Sequence, residues 1–432
     1  MFLAVIALGV LIIVHELGHY VAAKLCGVHV ERFSIGFGPK LWSKTRGETE
    51  YCLSAIPLGG YVKLHRMTEY EEVVEGKESQ AFFNKSYYKK IVVIIAGVFF
   101  NLLFAILLFA AVLIVGYRAY SPIVGVVSEG KAADRAGFLS GDRITDVNGK
   151  YVRSWEEFLI YINEQKGVFT VEVERDGNNV VLSLLPDETN YINPLGGNEV
   201  VSEVGMSVYI ESLVGGLTPY GPAEKAGIKK GDRFVSINNE NIGGWQDVVR
   251  IVRASPETPL SIVMLRNGAE YHVDVTPSIS GNVGKLGVIS SYGDIILRDR
   301  PLAALRFGAE QTIKVTGLIY KGIWQLLSGK VSRDNIGGPI LILKETANSA
   351  KDGLDSYLNF IALISINLAV LNLLPMPILD GGYVLIYTYE CVTRRRISAS
   401  AQTAGRMIGF ALLCALMILA FYNDIMRFFN IM

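Results

Sequence analysis

IIVHELGHYVAAK, residues 12–24, decides how the rest of the chain is read. Residues 1–14 carry no charge, and then His15, Glu16 and His19 arrive within five positions. The apolar run over residues 2–23 is long enough to cross a bilayer, which takes about 20 residues. Ionisable groups at that depth cost kilocalories each, so a cluster of three marks a functional site. No basic stretch precedes the run, and the cluster falls where a signal peptide would be cut. The segment is therefore read as mature protein.

Three further apolar runs lie downstream: residues 91–117, 357–374 and 407–422. Half of the 432 residues are hydrophobic and 19% are charged, the mixture expected of membrane segments joined to a soluble portion. Net charge is zero, so nothing points to nucleic acid. Lys40, Lys44, Arg46, Lys63, Lys85, Lys89 and Lys90 lie between the first two runs, and Arg394, Arg395 and Arg396 between the last two. Basic residues mark cytoplasmic loops. Both termini and the long segment 118–356 are then expected on the opposite, extracytoplasmic side. The cysteines, Cys26, Cys52, Cys391 and Cys414, form no C-x-x-C and suggest no disulfide framework.

The long segment repeats itself. AADRAGFLSGDRITDVNGKYVRSWEEF (132–158) is echoed by GPAEKAGIKKGDRFVSINNENIGGWQDV (221–248), with Asp142 and Asp232, Asn148 and Asn238, and Trp155 and Trp245 at an offset of 90. The Asp, Asn and Trp read as fold residues. Each copy ends in two strand-like runs around an Asp-Gly or Asn-Gly turn, a hairpin signal. The pattern resembles bacterial PDZ domains, which accept a peptide terminus as an added strand. The glycine-rich loop that would hold a terminal carboxylate is not legible, although IVGVVS and LVGGLT approximate its position. Residues 301–328 have amphipathic helical spacing and suit a membrane surface or a domain face.

HELGH is H-E-x-x-H, the zinc metalloprotease helix pattern. Positions i and i+4 share a helical face, so His15 and His19 can grip one metal. Glu16 can reach a water on the open metal position and act as general base. Catalytic zinc usually takes three protein ligands. His29, His65 and His272 are poorly placed and read as non-ligands. NLLPMPILDGG (372–382) ends the third apolar run, and its prolines and glycines break the helix. Irregular backbone at membrane depth is tolerated where it is buried or lines a wet cavity. Asp380 is therefore expected to complete a His2Asp site for one zinc. Asn372 is placed to hydrogen-bond substrate backbone or a developing oxyanion, with helix–helix bonding as its bland alternative.

HELGH together with N-x-x-P-x-P-x-L-D-G resembles the site-2 protease family of intramembrane zinc metalloproteases, over nearly the whole chain. The resemblance implies a multi-pass α-helical membrane protein with four spanning helices, a membrane-associated β-hairpin loop and two tandem extracytoplasmic PDZ-like α+β domains. Membrane domain segments are expected over 1–117 and 356–432, with the β loop at about 30–65. The first PDZ domain is expected over 118–207, the second over 208–279, and a connecting amphipathic segment over 280–355. SIGFGPKLW (34–42) and IPLGGYVKL (56–64) resemble the family's β loop, and Cys52, Leu53, Ser54, Ala55 and Ile56 are the expected edge that holds an unwound substrate. Pro375 joins Asn372 as a substrate-binding candidate. AGVFFN (96–101) resembles the family's A-G-P-x-x-N with Val98 in place of proline, and IGGPI (336–340) resembles its S-G-P-I.

The family implies a Gram-negative inner membrane location, a stress-response role and cleavage of single-pass proteins of type II orientation. The implied substrates are an anti-sigma factor already cut on its extracytoplasmic side and remnant signal peptides. The PDZ pair would act as a size filter or a sensor of the trimmed end. Two other classes remain open from residues alone: a metal transporter using the same side chains, and a catalytically silent PDZ scaffold. Four spans without an inverted repeat argue against the first, and an intact H-E-x-x-H and Asp380 argue against the second.

Overall fold

The computed structural model describes residues 2–66, 77–164, 166–192, 198–291, 293–331 and 337–428. They form two compact units, one of Met1–Val115 with Arg298–Met432 and one of Gly116–Leu297.

The helices of the first unit are α1 (Phe2–Leu25), α2 (Tyr87–Val115), α3 (Pro301–Leu327), α4 (Pro339–Asp352), α5 (Leu354–Asn372), α6 (Asp380–Thr393) and α7 (Ala399–Phe428). Among the described residues, α1, α2, α5 and α7 are long and apolar enough to cross a membrane. They fall where hydropathy placed four spans. The 14 residues of α6 reach only about 21 Å at 1.5 Å each, short of the roughly 30 Å hydrocarbon core.

Two glycines let α1 and α2 touch. A Cβ on Gly18 would lie 2.3 Å from the Ala96 carbonyl oxygen, and one on Gly97 would lie 2.5 Å from His19 Nε2. Small residues at a crossing are the means by which helices pack closely in lipid. Behind this crossing, Ala105 and Phe109 of α2 pack with Ala362, Ile366 and Val370 of α5. Val315, Ile319 and Ile323 of α3 cover the same cluster, while Leu302, Ile313, Trp324 and Leu327 of that helix stay exposed. The glycine–proline stretch at 337–339 starts α4. Asp424 of α7 accepts hydrogen bonds there from the amides of Gly338, Ile340 and Leu341 at 2.9–3.1 Å, satisfying donors that a helix start leaves open. Ile336 of that stretch lies outside the described residues.

Between α1 and α2 run two long antiparallel strands, β1 (Val30–Arg46) and β2 (Thr49–Leu64). Each folds back on itself, so four rungs form in the order 60–64, 30–35, 50–54 and 40–46. The bend in β1 uses Gly36 and Gly38, at φ 89° and 85°, conformations that side chains resist.

The second unit holds the repeat. In the first copy a four-stranded antiparallel sheet has the order Lys150–Tyr151, Arg143–Val147, Phe169–Arg175, Asn178–Leu184. The second copy has Glu240–Asn241, Arg233–Ile237, Leu260–Arg266, Ala269–Val275 in the same order. Helices Trp155–Glu164 and Trp245–Ala254 pack on these sheets. The repeated residues hold the fold. Asp142 and Asp232 are buried and paired with Arg175 and Arg266, each at 2.7 Å. Asn148 and Asn238 turn the chain at φ 53° and 50° and accept hydrogen bonds from the amides of Thr170 and Ser261. Asp176-Gly177 and Asn267-Gly268 all have positive φ, the turn chemistry a two-residue hairpin needs.

The second copy does not end at residue 279. Strand Val288–Ser290 pairs with Val214–Leu217, and Leu286 is buried in the same core as Val214. Residues 280–297 therefore belong to this unit rather than to a connecting segment. The first copy is closed in the same way, by Met206–Val208 against Val124–Val127.

Candidate active site

The unbroken helix α1 carries His15, Glu16 and His19 past the crossing with α2. Helix α5 ends at Asn372, and the chain reverses before α6 begins at Asp380. The reversal is tight: a Cβ on Gly381 would lie 2.3 Å from the Leu373 carbonyl oxygen, and one on Gly382 would lie 2.2 Å from that of Met376. Only glycines leave room for the loop to fold onto the helix it precedes. Asp380 is thereby held in the first turn of α6, where the helix dipole favours a negative charge.

The result is a triangle of donor atoms. His15 Nε2 lies 3.2 Å from His19 Nε2. Asp380 Oδ2 lies 3.3 Å from the first and 3.5 Å from the second. Four ligands at 2.0–2.1 Å around tetrahedral zinc stand about 3.3 Å apart, by simple geometry on those bond lengths. Asp380 Oδ2 is also buried with no hydrogen-bond partner among the described residues, which a buried carboxylate tolerates poorly. Two imidazole nitrogens and one orphaned oxygen facing a common point fit a zinc ion. His19 Nδ1 lies 2.8 Å from the Val93 carbonyl oxygen, to which Nδ1–H can donate. That proton position leaves Nε2 free for a metal.

The triangle opens onto a cavity of about 340 Å³. Glu16, Asn372 and Tyr383 line it, as does the rung Gly59–Val62 of β2. Asn372 Nδ2 stands 3.4 Å from His15 Nε2. Val62 lines the cavity together with Glu16. A Cβ on Gly60 would meet Glu16 Cγ at 3.2 Å and the Ser34 carbonyl oxygen at 2.9 Å, so a residue without a side chain lets this rung reach the site.

Two placements expected from the sequence differ in the structure. Cys52 and Leu53 are not on an edge: Cys52 pairs with both Ser34 and Ser43, and Leu53 with both Ile35 and Trp42. Ser54 pairs with Lys40, and Ile56, whose side chain is outside the described ones, pairs with Phe37. Because the strands fold back, the segment read as an edge becomes an inner rung, and Gly60–Leu64 becomes the edge. Ala55 follows the same rung and does not line the cavity. Pro375 is exposed on the reversal and does not line the cavity either. His29 and His65 pair with Glu48 and Glu31, outside the triangle. Sequence reasoning missed the Gly59–Leu64 rung and Val93. The glycine pair 59–60 was the available signal for the first, whereas a backbone carbonyl leaves no signal.

The family model described as Peptidase family M50 matches residues 3–416. A protein of Neisseria meningitidis whose name describes a zinc metalloprotease is 36% identical, with 98% of each chain covered. Protease RseP of Yersinia pestis and the regulator of sigma-E protease RseP of Salmonella typhimurium are each 34% identical, over 98% of this chain and 97% of theirs.

Proposed function

The chain belongs to peptidase family M50, an intramembrane zinc metalloprotease of the site-2 type, and from that premise we propose how its residues cut a peptide bond and in which proteins. The observation that carries the reading is the donor triangle of His15, His19 and Asp380 with Glu16 beside it in one cavity.

His15, His19 and Asp380 would hold one zinc. Zinc there supplies Lewis acidity, which brings the pKa of a water down to about 7 and polarises a carbonyl. Glu16, in the same cavity as the triangle, accepts a proton from the attacking water. The water oxygen bonds to the carbonyl carbon, the carbon–nitrogen bond breaks, and Glu16 returns the proton to the leaving nitrogen. Asn372 donates its amide hydrogens to the carbonyl oxygen as charge develops. A peptide bond inside a helix is shielded by its own hydrogen bonds, so the substrate must unwind. The edge Gly60–Leu64, next to Glu16, holds the unwound segment as an added strand.

The substrates are single-pass membrane proteins of type II orientation, among them an anti-sigma factor after a first extracytoplasmic cut, and remnant signal peptides. The names of the relatives, regulators of sigma-E protease, favour the first. The protein sits in the inner membrane with residues 116–297 and both termini in the periplasm. Each repeat is a PDZ domain. In the second, a cavity of about 330 Å³ lies between strand Val288–Ser290 and helix Trp245–Ala254, beside the loop at Gly284–Gly287. That groove suits a peptide terminus docked as a strand. The pair excludes bulky substrates and senses the trimmed end.

The test compares wild type with Glu16→Gln in detergent on a tagged single-span substrate, with zinc measured alongside. Loss of the base is expected to lower cleavage about 100-fold or more, with zinc retained. Equal cleavage by both proteins would sink the mechanism.

A further inference from the structure

Asn101 lies within α2, fully buried, and the reaction described above gives it no task. Its Nδ2 is 3.3 Å from His15 Nδ1. Its Oδ1 is a buried oxygen with no partner among the described residues. Buried amide oxygens are costly when left unpaired. The position itself is held firmly, because Ser365 of α5 donates its hydroxyl to the Asn101 main-chain oxygen at 2.7 Å.

The neighbouring ring has a definite need. His15 must present an unprotonated Nε2 to the point it shares with His19 and Asp380. A neutral imidazole then carries its single proton on Nδ1. With the amide nitrogen against Nδ1, two donors face each other and the amide oxygen stays orphaned. Half a turn of the amide removes both faults, because Oδ1 then accepts from Nδ1–H. His19 is already served in this way by the Val93 carbonyl oxygen, two turns earlier on the same helix.

The geometry points to Asn101 as the positioning residue for His15: its side-chain oxygen accepts the Nδ1 proton, fixes the tautomer and aims Nε2 at the metal. Helix α2 thus orients both imidazoles of α1, one through a main-chain carbonyl and one through a side chain. The Gly97 contact brings the helices close enough for this, and Asn101 stands one turn beyond Gly97 on the same face. This role rests on the metallopeptidase reading of the site. Partners of this kind, when removed, typically cost 10- to 100-fold in metal affinity.

The test uses the full chain in detergent and needs no substrate. Wild type, Asn101→Leu and Asn101→Asp are loaded with zinc, and affinity is measured by competition with a chromophoric chelator. Asn101→Leu keeps the branched shape but cannot accept, and is expected to lose about 10- to 100-fold. Asn101→Asp can accept but not donate, and is expected to stay near wild type. In the zinc-loaded protein, selective ¹⁵N labelling of the five histidines reads the Nδ1–H of each ring. The His15 Nδ1–H should be hydrogen-bonded, shifted downfield and slow to exchange in wild type and in Asn101→Asp, and lose both marks in Asn101→Leu. The role is overturned by wild-type affinity in Asn101→Leu, by an Asn101→Asp protein that loses zinc as far as the Leu variant, or by a His15 Nδ1–H that is the same in all three proteins. A wild-type protein that binds no zinc at all overturns the metallopeptidase reading, and the role with it.

Discussion

At the scale of single residues, space decides as much as chemistry. His15 and His19 become a useful pair only because Gly97 leaves their rings room on α2. Alanine is about 1 kcal/mol better than glycine inside a helix, so Gly97→Ala would stabilise a protein in which the crossing did not matter. Here its Cβ would stand 2.5 Å from His19 Nε2 and 2.8 Å from His15 Cε1. We expect Gly97→Ala to lower zinc affinity about 10-fold or more, in line with losses on disturbing ligand orientation, and to lower the Tm. Thermal unfolding and chelator competition check this. A raised Tm with unchanged zinc affinity would show that the crossing is loose.

At the scale of elements, the two repeats show one ion pair doing the same work twice. Asp232 is pushed up by burial, but hydrogen bonds from Arg266, the Lys229 amide and the Tyr271 hydroxyl outweigh this and hold it below its ordinary value. The same environment pushes Tyr271 up to about 12, by burial and by the adjacent carboxylate. A carboxyl held low in the native state contributes stability that is full above its unfolded value, about 3.9, and is lost as pH falls below it. Removing the guanidinium with Arg266→Met should therefore lower the Tm at pH 7 and lower it less at a pH below the unfolded value, where the contribution of the held-down carboxyl fades. A gap that stays constant between the two pH values would assign the loss to the Gly227 carbonyl that Arg266 also holds, at 2.8 Å. The β1–β2 element teaches a different lesson. Phe37 lines the cavity with Glu16 and the Gly59–Val62 rung, whereas Leu41 and Trp42, on the rung at the far side of the sheet, are exposed and suit contact with lipid.

At the scale of the molecule, the second unit is an insertion. Helix α2 ends at Val115, and the chain returns to the first unit at Arg298. The two ends are tied where they meet: Arg298 Nε donates to the Val115 carbonyl oxygen at 3.0 Å, and the Asp299 amide donates to that of Leu113 at 2.9 Å. Each unit has its own cores, so a short Gly/Ser bridge in place of Gly116–Leu297 should leave the metal site folded. Such a deletion is expected to retain zinc and to cut substrates that still carry a bulky extracytoplasmic domain, which the proposed size filter would keep from the full chain. Zinc content and gel-based cleavage of trimmed and untrimmed substrates measure both. Unchanged refusal of the untrimmed substrate would remove the size filter from the proposed function.

Four helices long and apolar enough to cross a membrane, a duplicated module and three side chains whose donor atoms meet were all legible in the sequence. These are local properties: an apolar run about 20 residues long, turn residues at fixed offsets, and imidazoles one helical turn apart need no partner to be recognised. Asp380 was legible because a carboxylate amid prolines and glycines at the end of an apolar run has few other reasons to be there. Which rung of the β sheet is the edge emerged from the fold alone, because register and fold-back depend on backbone pairing between residues far apart. The fold also decided where the second module ends, since a three-residue strand such as Val288–Ser290 has no periodicity to read. The support of the two imidazoles was hidden for the same reason. A main-chain carbonyl at Val93 carries no signature in sequence, and Asn101 gains its meaning only when two glycines bring one helix against another.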